Sequence, residues 1–193
     1  MDTELVNSTR QDLTNSSRNV KQDIIPHFTK DEMIDLLRHM PSNWHGIMFQ
    51  FAWRTGVRVT ELISVTKGCI DFDNDEITIR WLKSKHKAKH RVIPLHVSLK
   101  ASMWMYTAKM KYDSLLFPVS RQRVYQLTQQ HGFGNPHKIR HSFAVNFLRQ
   151  SMSPMALVEL QQLLGHAKIE TTMKYLRVVP MQLKHSLKRI EFD

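Results

Sequence analysis

Between Cys69 and Leu95 the chain changes its period. Ile70, Phe72, Ile77 and Ile79 alternate with polar neighbours, Asp73-Asn74-Asp75 supplies turn chemistry between them, and Val92-Ile93-Pro94 reads as a returning strand. On both sides of this stretch the apolar residues recur at helical spacing instead. Three short strand runs make one small antiparallel sheet and no more, so helices must supply most of the core. The fold class is therefore mixed α+β and mainly α-helical.

The helical segments carry their own boundaries. Thr29 and Glu32 have capping-box spacing ahead of Met33, Ile34, Leu36 and Leu37. Trp44, Ile47, Met48 and Phe51 form one stripe of a helix from Asn43 to Arg54, with Gly56 as its stop. His96 to Met110 places Leu99, Met103, Tyr106 and Met110 on one face, and Leu115–Val119 is a short buried run. Ser120 caps a helix through Gln130, closed by Gly132. Pro136 suits the first position of a helix whose apolar face is Ala144, Phe147 and Leu148. Ser153-Pro154 starts another, with Leu157, Leu160, Leu163 and Leu164 apolar and Gly165 as its stop. The tail from Val179 repeats Leu183, Leu187 and Ile190 at helical spacing, an amphipathic helix with little of its own domain left to cover. Residues 1–24 carry four acids and three bases and no apolar periodicity, so they read as a flexible polar tail or linker.

The net positive charge lies beyond that tail. The 193 residues hold 28 Lys+Arg against 17 Asp+Glu, a formal charge of +11, which predicts a polyanionic partner. Arg80 to Arg91 concentrates six Lys/Arg and two His in twelve residues without one acid. Such a run is usually a solvated face, but on the tip of a hairpin it is placed to enter a nucleic-acid groove. Lys83, Lys87 and Lys89 on that arm, and Arg121 and Arg123 on the Ser120-capped helix, are the candidate DNA contacts. A single cysteine, Cys69, excludes an intramolecular disulfide and a cysteine-cluster metal site. The eleven histidines do not pair with Cys or carboxylates at metal-ligand spacing, and no glycine-rich phosphate loop is present. No metal or nucleotide cofactor is expected, nor a membrane span. The first twenty residues hold no apolar run of the secretory kind, which predicts a cytoplasmic protein.

Three boxes carry candidate chemistry. Thr55-Gly56-Val57-Arg58-Val59-Thr60-Glu61-Leu62 is a helix stop, a turn and a new helix, with Glu61 three residues after Arg58 and able to orient its guanidinium. His137-Lys138-Ile139-Arg140-His141-Ser142-Phe143-Ala144 puts His137 and Arg140 on one helical face, an imidazole beside a guanidinium whose fork fits phosphate oxygens. Leu164-Gly165-His166 sets His166 in a turn, and Tyr175 comes nine residues later, on a short helix starting near Thr171. Each box alone is an ordinary basic helix or a rim tyrosine. Tyr106, Tyr112 and Tyr125 are read as core or rim residues of that kind.

Together, and in this order, the boxes resemble the tyrosine recombinase (integrase) family from about Phe28 to Val178. The resemblance implies a catalytic domain over 25–178 with a small three-stranded antiparallel sheet at one edge. It implies a site in which Arg58, Arg140 and His166 hold a scissile phosphate, supported by Glu61. Tyr175 would be the nucleophile, His137 the base for its phenol, and a hairpin lysine the acid for the leaving 5′-hydroxyl. Ser84-Lys85 fits that lysine best, nine residues before Pro94, with Lys83 and Lys87 as alternatives because the loop is one residue longer than common family forms. The product would be a 3′-phosphotyrosyl link to double-stranded DNA, made without cofactor by a homo-oligomer, a tetramer on paired sites. The protein would be prokaryotic, viral or plasmid-borne, with residues 179–193 exchanged between protomers. The family's N-terminal core-binding domain has no counterpart in the resemblance, which fits a catalytic fragment or a short invertase of the fimbrial phase-switch kind. Two alternatives stay open at this level: a type IB topoisomerase, which shares the active-site residue types, and a catalytically silent DNA-binding regulator.

Overall fold

The computed structural model describes residues 25–41, 43–81 and 89–179, without the side chains of Trp81 and Lys89. The polar tail, the three lysines Lys83, Lys85 and Lys87, and the expected C-terminal helix therefore lie outside the described residues.

Helix α1 (Lys30–Arg38) begins at the expected capping box, with Thr29 Oγ1 accepting from Glu32 N and Glu32 reaching back to Thr29 N at 2.7 Å. Caps of this kind contribute about 1 kcal/mol. Helix α2 (Trp44–Thr55) is capped by Asn43 and ends at Gly56, which adopts φ 61°. A Cβ built there would stand 2.4 Å from the Phe143 ring, so both backbone and space demand glycine. The short α3 (Val59–Leu62) starts again at once from Arg58.

Strands β1 (Ile70–Asp71), β2 (Glu76–Trp81) and β3 (Lys89–Pro94) form one antiparallel sheet in sequence order. Ile77 faces Ile93 and Ile79 faces Arg91 across β2–β3. The return strand starts three residues earlier than Val92, which brings Arg91 into the ladder. Helix α4 (Val97–Thr107) packs on α2 and buries Leu99, Met103 and Thr107, while Tyr106 stacks on Phe117. Helix α5 (Arg121–Gln130) is capped by Ser120.

Helix α6 (Pro136–Gln150) has Pro136 at its first position and Asn135 as cap, and it lies against α2. The chain entering α1 is tied to it: Phe28 N donates to Ser142 Oγ and Asn146 Nδ2 donates to Phe28 O. Helix α7 (Ala156–Leu164) starts two residues later than Ser153-Pro154 predicts, because Ser153 Oγ accepts from Met155 N and donates to Glu159 from outside the helix. Gly165 closes α7 at φ 61°. One turn of helix, α8 (Glu170–Met173), then tightens into a 3-10 turn, Lys174–Arg177, that carries Tyr175.

Among the described residues, two apolar clusters result. The larger holds Met48, Phe49, Phe51, Leu99, Met103, Phe117, Leu127 and Phe133; the smaller is Ala144, Val145, Leu160, Leu164 and Tyr175. The smaller cluster fixes α6, α7 and the 3-10 turn to one another, and the three boxes meet beside it.

Candidate active site

The C-terminal end of α7 organises the site. A helix leaves its last carbonyls without intrahelical donors and carries partial negative charge there, so cations gather at this end. Here three arginines from three other elements do so. Arg91 Nε donates to Leu163 O at 2.8 Å. Arg140 Nη2 donates to Leu164 O at 2.8 Å, while its Nη1 donates to Gly56 O. Arg58 reaches Leu164 O at 3.4 Å and Gly165 O at 3.5 Å.

One carboxylate stands among these cations. Glu61 is 3 % exposed and accepts a two-point contact from Arg91, at 2.9 and 2.8 Å, together with Arg58 Nη1 at 3.0 Å and Arg58 N at 2.7 Å. Burial pushes its pKa up, but hydrogen bonds and charge from Arg91, then Arg58, outweigh that and hold it below the usual carboxylate range. Among the described residues, three guanidinium groups stand around this one carboxylate in a partly desolvated site. An anion is the group that would complement them.

Arg140 is 5 % exposed, and burial, with Arg58 beside it, brings its pKa down to about 9, so it stays charged at neutral pH. Its Nη2 also meets His166 Nε2 at 3.2 Å. A guanidinium only donates, so Nε2 accepts, the ring proton sits on Nδ1, and Nδ1 donates to Thr172 Oγ1 at 2.9 Å. Burial and the charges of Arg140 and Arg58 lower the His166 pKa to about 3. The imidazole is thus neutral here, and the phosphate-donating role requires a proton on Nε2, which an arriving phosphate would favour by offsetting those charges.

Tyr175 is 1 % exposed. Burial raises its pKa above the ordinary phenol value, with Arg140 and Arg58 opposing. Its hydroxyl lies 3.0 Å from His141 Nδ1, and Lys174 Nζ stands 5.1 Å from the ring centroid. His137 makes no described hydrogen bond to that hydroxyl. It sits at the exposed rim, its ring 6.5 Å from that of His141, with its pKa lowered by desolvation, then by Arg140, Arg121, Lys174 and Arg58.

Arg58, Glu61, Arg140, His166 and Tyr175 are therefore brought together, and His137 borders them. Arg121 and Arg123 are exposed on α5, Arg121 over the Tyr125 ring and Arg123 near Gln126. Lys89 contributes its backbone to β3. Two residues join the site that the motifs do not single out. Arg91 belongs by sequence to the solvated charges of the basic arm, yet it points inward; alternation with buried Ile93 is the signal that marks it. His141 adjoins Arg140 and lies four residues after His137, the spacing of one helical face. Gly165 is held by the same network, since a Cβ there would meet Arg91 Nη1 at 3.0 Å.

Two neutral histidines make the domain sensitive to acid. His141 is lowered to about 4 and His166 to about 3 from an ordinary 6.5, so below that value the unfolded chain takes up protons that the fold refuses. Stability is fully present above pH 6.5 and is lost as pH falls toward the folded values. The slope is at most about 1.4 kcal/mol per pH unit per histidine, and less because solvent still reaches both rings. Denaturant titrations at pH 7 and pH 5 should show the loss, and His166→Gln should shrink it. Equal stability at the two pH values in the wild type would contradict the neutral pair.

An arginine pair, a neutral histidine and a buried tyrosine thus gather around one helix end. The chain belongs to the phage integrase family, whose model matches residues 26–181. It is 29 % identical over 178 residues to the tyrosine recombinase XerA of Pyrococcus furiosus, an alignment covering 83 % of this chain and 60 % of that protein. The chain thus spans about 60 % of the length of the curated relatives it matches. Its fold is shared with the catalytic domain of bacteriophage HP1 integrase (TM-score 0.65, 22 % identity, 86 % of this chain and 95 % of that one). It is also shared with the Tn1549 transposon integrase in complex with transposon right-end DNA (TM-score 0.68, 17 % identity, 85 % and 65 %). No helix among the described residues is long and apolar enough to cross a membrane, and no group of three or more His, Cys, Asp or Glu among them could hold a metal ion.

Proposed function

We propose that this chain carries the catalysis of a site-specific DNA recombinase, which cleaves one strand of double-stranded DNA and rejoins it through a 3′-phosphotyrosyl intermediate. The observation that carries this is the convergence of Arg58, Arg140, His166 and Tyr175, from three distant stretches, on the C-terminal end of α7. The kinship with XerA and the fold shared with an integrase held on transposon DNA support the same substrate.

Arg58 and Arg140 neutralise the non-bridging phosphate oxygens, where negative charge grows as the phosphorus becomes five-coordinate. Both are preorganised by carbonyls and by Glu61, so little reorganisation accompanies the reaction. His166 takes a proton from solvent on Nε2 as the incoming phosphate offsets the charges of Arg140 and Arg58, and donates it in a hydrogen bond to a further oxygen. Tyr175 attacks, the P–O5′ bond breaks, and the 5′-oxygen leaves as an alcohol with a proton from Lys85. The ester conserves the bond energy, so rejoining is the same path reversed and needs neither metal nor nucleotide. Lys83, Lys87, Lys89, Arg121 and Arg123 are proposed as the phosphate contacts that set the arm and α5 on the duplex. The active form is proposed to be a homotetramer on paired sites, with residues 179–193 docking on a neighbouring protomer, acting on DNA in the cytoplasm. Integration, excision, inversion and resolution all use this chemistry.

The test is covalent trapping. A pool of randomised duplexes, nicked so that the cleaved 5′ end diffuses away, is incubated with the chain in EDTA, and denaturant-resistant adducts are isolated and sequenced. Adduct formation is expected in EDTA and should fall steeply as salt rises, because neutralising several phosphates releases their counterions. A strict requirement for divalent metal, or no adduct from any duplex, would overturn the reading. Relaxation of supercoiled plasmid without exchange between sites would mark a topoisomerase instead.

A further inference from the structure

We propose that His141 is the residue that takes the proton from Tyr175 during attack. This rests on Tyr175 being the nucleophile, as in the proposed function. The Tyr175 hydroxyl lies 3.0 Å from His141 Nδ1, and no other partner of that hydroxyl is described. A hydroxyl on a residue 1 % exposed must still donate its proton somewhere, so Tyr175 donates and Nδ1 accepts. The imidazole is then the Nε2–H tautomer, with its one lone pair already aimed at the atom that must lose a proton. Geometry for general-base transfer, a heavy-atom distance of about 2.6–3.2 Å, is met in the resting fold.

The packing explains why this ring and not another is there. Ala144 and Val145, one turn along α6 from His141, pack with Tyr175, Leu160 and Leu164 in the smaller core. The phenol is therefore pinned under the face of α6 that carries His141, its ring centroid 5.7 Å from the imidazole. His137 occupies the turn before, further out.

The groups facing His141 are Lys174 from the 3-10 turn, His137 and Arg140 from α6, and His27 ahead of α1. Burial first, then these charges, keep the imidazole neutral, its pKa lowered to about 4, so it is always free to accept but weakly basic in the resting protein. A phosphodiester seated on Arg140 and Arg58 offsets part of the positive field. Base strength then rises only when substrate is present.

The step balances. The Tyr175 O–H bond breaks and its proton moves to His141 Nδ1, giving an imidazolium. The tyrosine oxygen bonds to phosphorus, the P–O5′ bond breaks, and the 5′-oxygen takes a proton from the hairpin acid. Rejoining returns both protons.

The experiment measures single-turnover cleavage of the trapped duplex by the full chain, with tyrosine or a ring-fluorinated tyrosine at position 175. Fluorination makes the phenol more acidic and so relieves the need for a base. His141→Gln should lower cleavage by about 10²–10⁴-fold with ordinary tyrosine. The fluorinated residue should recover most of that loss and make the rate rise with pH as the phenolate fraction grows. His137→Gln should show no comparable recovery. His141→Asn serves as the second variant, and both are compared at equal thermal stability, so that misfolding is separated from lost base function. A His141→Gln rate equal to wild type, a loss that fluorination leaves unchanged, or recovery in His137→Gln alone would overturn the assignment. No adduct from the wild-type chain would instead overturn the proposed function itself and this assignment with it.

Discussion

Tyr175→Phe is expected to bind the trapped duplex as the wild type does and to form no covalent adduct. The change removes one oxygen and nothing else. The ring stays in the cluster of Ala144, Val145, Leu160 and Leu164, where phenylalanine fills the same hole. The one described hydrogen bond lost is that to His141 Nδ1, which leaves a partly exposed imidazole free to meet solvent. The stability change is therefore about 1 kcal/mol. In the proposed function, binding affinity comes from cations that the substitution leaves in place: Arg58, Arg140, and the basic residues of the arm and of α5. Chemistry, by contrast, has nothing left to attack with. Mobility shift at several salt concentrations and denaturing electrophoresis of the same mixtures check the two halves together. A denaturant-resistant adduct from the Phe variant would assign the nucleophile to another residue.

The residues that touch the phosphate in this proposal are legible in the sequence because each sits in a short box with its own helix start or stop. Gly56 before Arg58, Pro136 before Arg140 and Gly165 before His166 are local backbone signals, and the structure uses each as such. What spacing cannot reveal is how the boxes are joined. The joint is made of backbone carbonyls at 163, 164 and 165, and a carbonyl carries no residue identity to read. Arg91 is hidden for a related reason: in a run of six cations, only the register of β3 singles out the one that meets Glu61. His141 is hidden by its neighbour, since the H-x-x-R spacing draws attention to His137, whereas packing of the 3-10 turn under α6 decides which imidazole the tyrosine meets. The protonation of His166 is likewise a property of Arg140 and Thr172 together and of no motif.

Arg140→Ala and Lys85→Ala should both cripple cleavage of ordinary DNA and should part company on a duplex whose bridging 5′-oxygen is sulfur. Arg140 holds Gly56 O and Leu164 O and meets His166 Nε2. Its removal deprives the transition state of a preorganised donor, worth about 10²–10³-fold in rate for each donor lost. It also leaves buried carbonyls short of a partner, at about 1–3 kcal/mol each. A thermal melt must therefore show that the variant is folded at the assay temperature. Lys85 carries a different job in this scheme. An alkoxide is a poor leaving group at neutral pH, and losing the acid that protonates it should lower the rate by about 10²–10⁴-fold. A thiolate departs without a proton. The sulfur duplex should thus restore most of the rate to Lys85→Ala and little to Arg140→Ala, whose defect lies on the non-bridging oxygens. Lys83→Ala and Lys87→Ala, run beside them on both duplexes, fix the register of the arm between β2 and β3. Rescue confined to one of those neighbours moves the acid to that lysine, and rescue of Arg140→Ala to the same degree would remove the distinction between acid and clamp on which the mechanism is built.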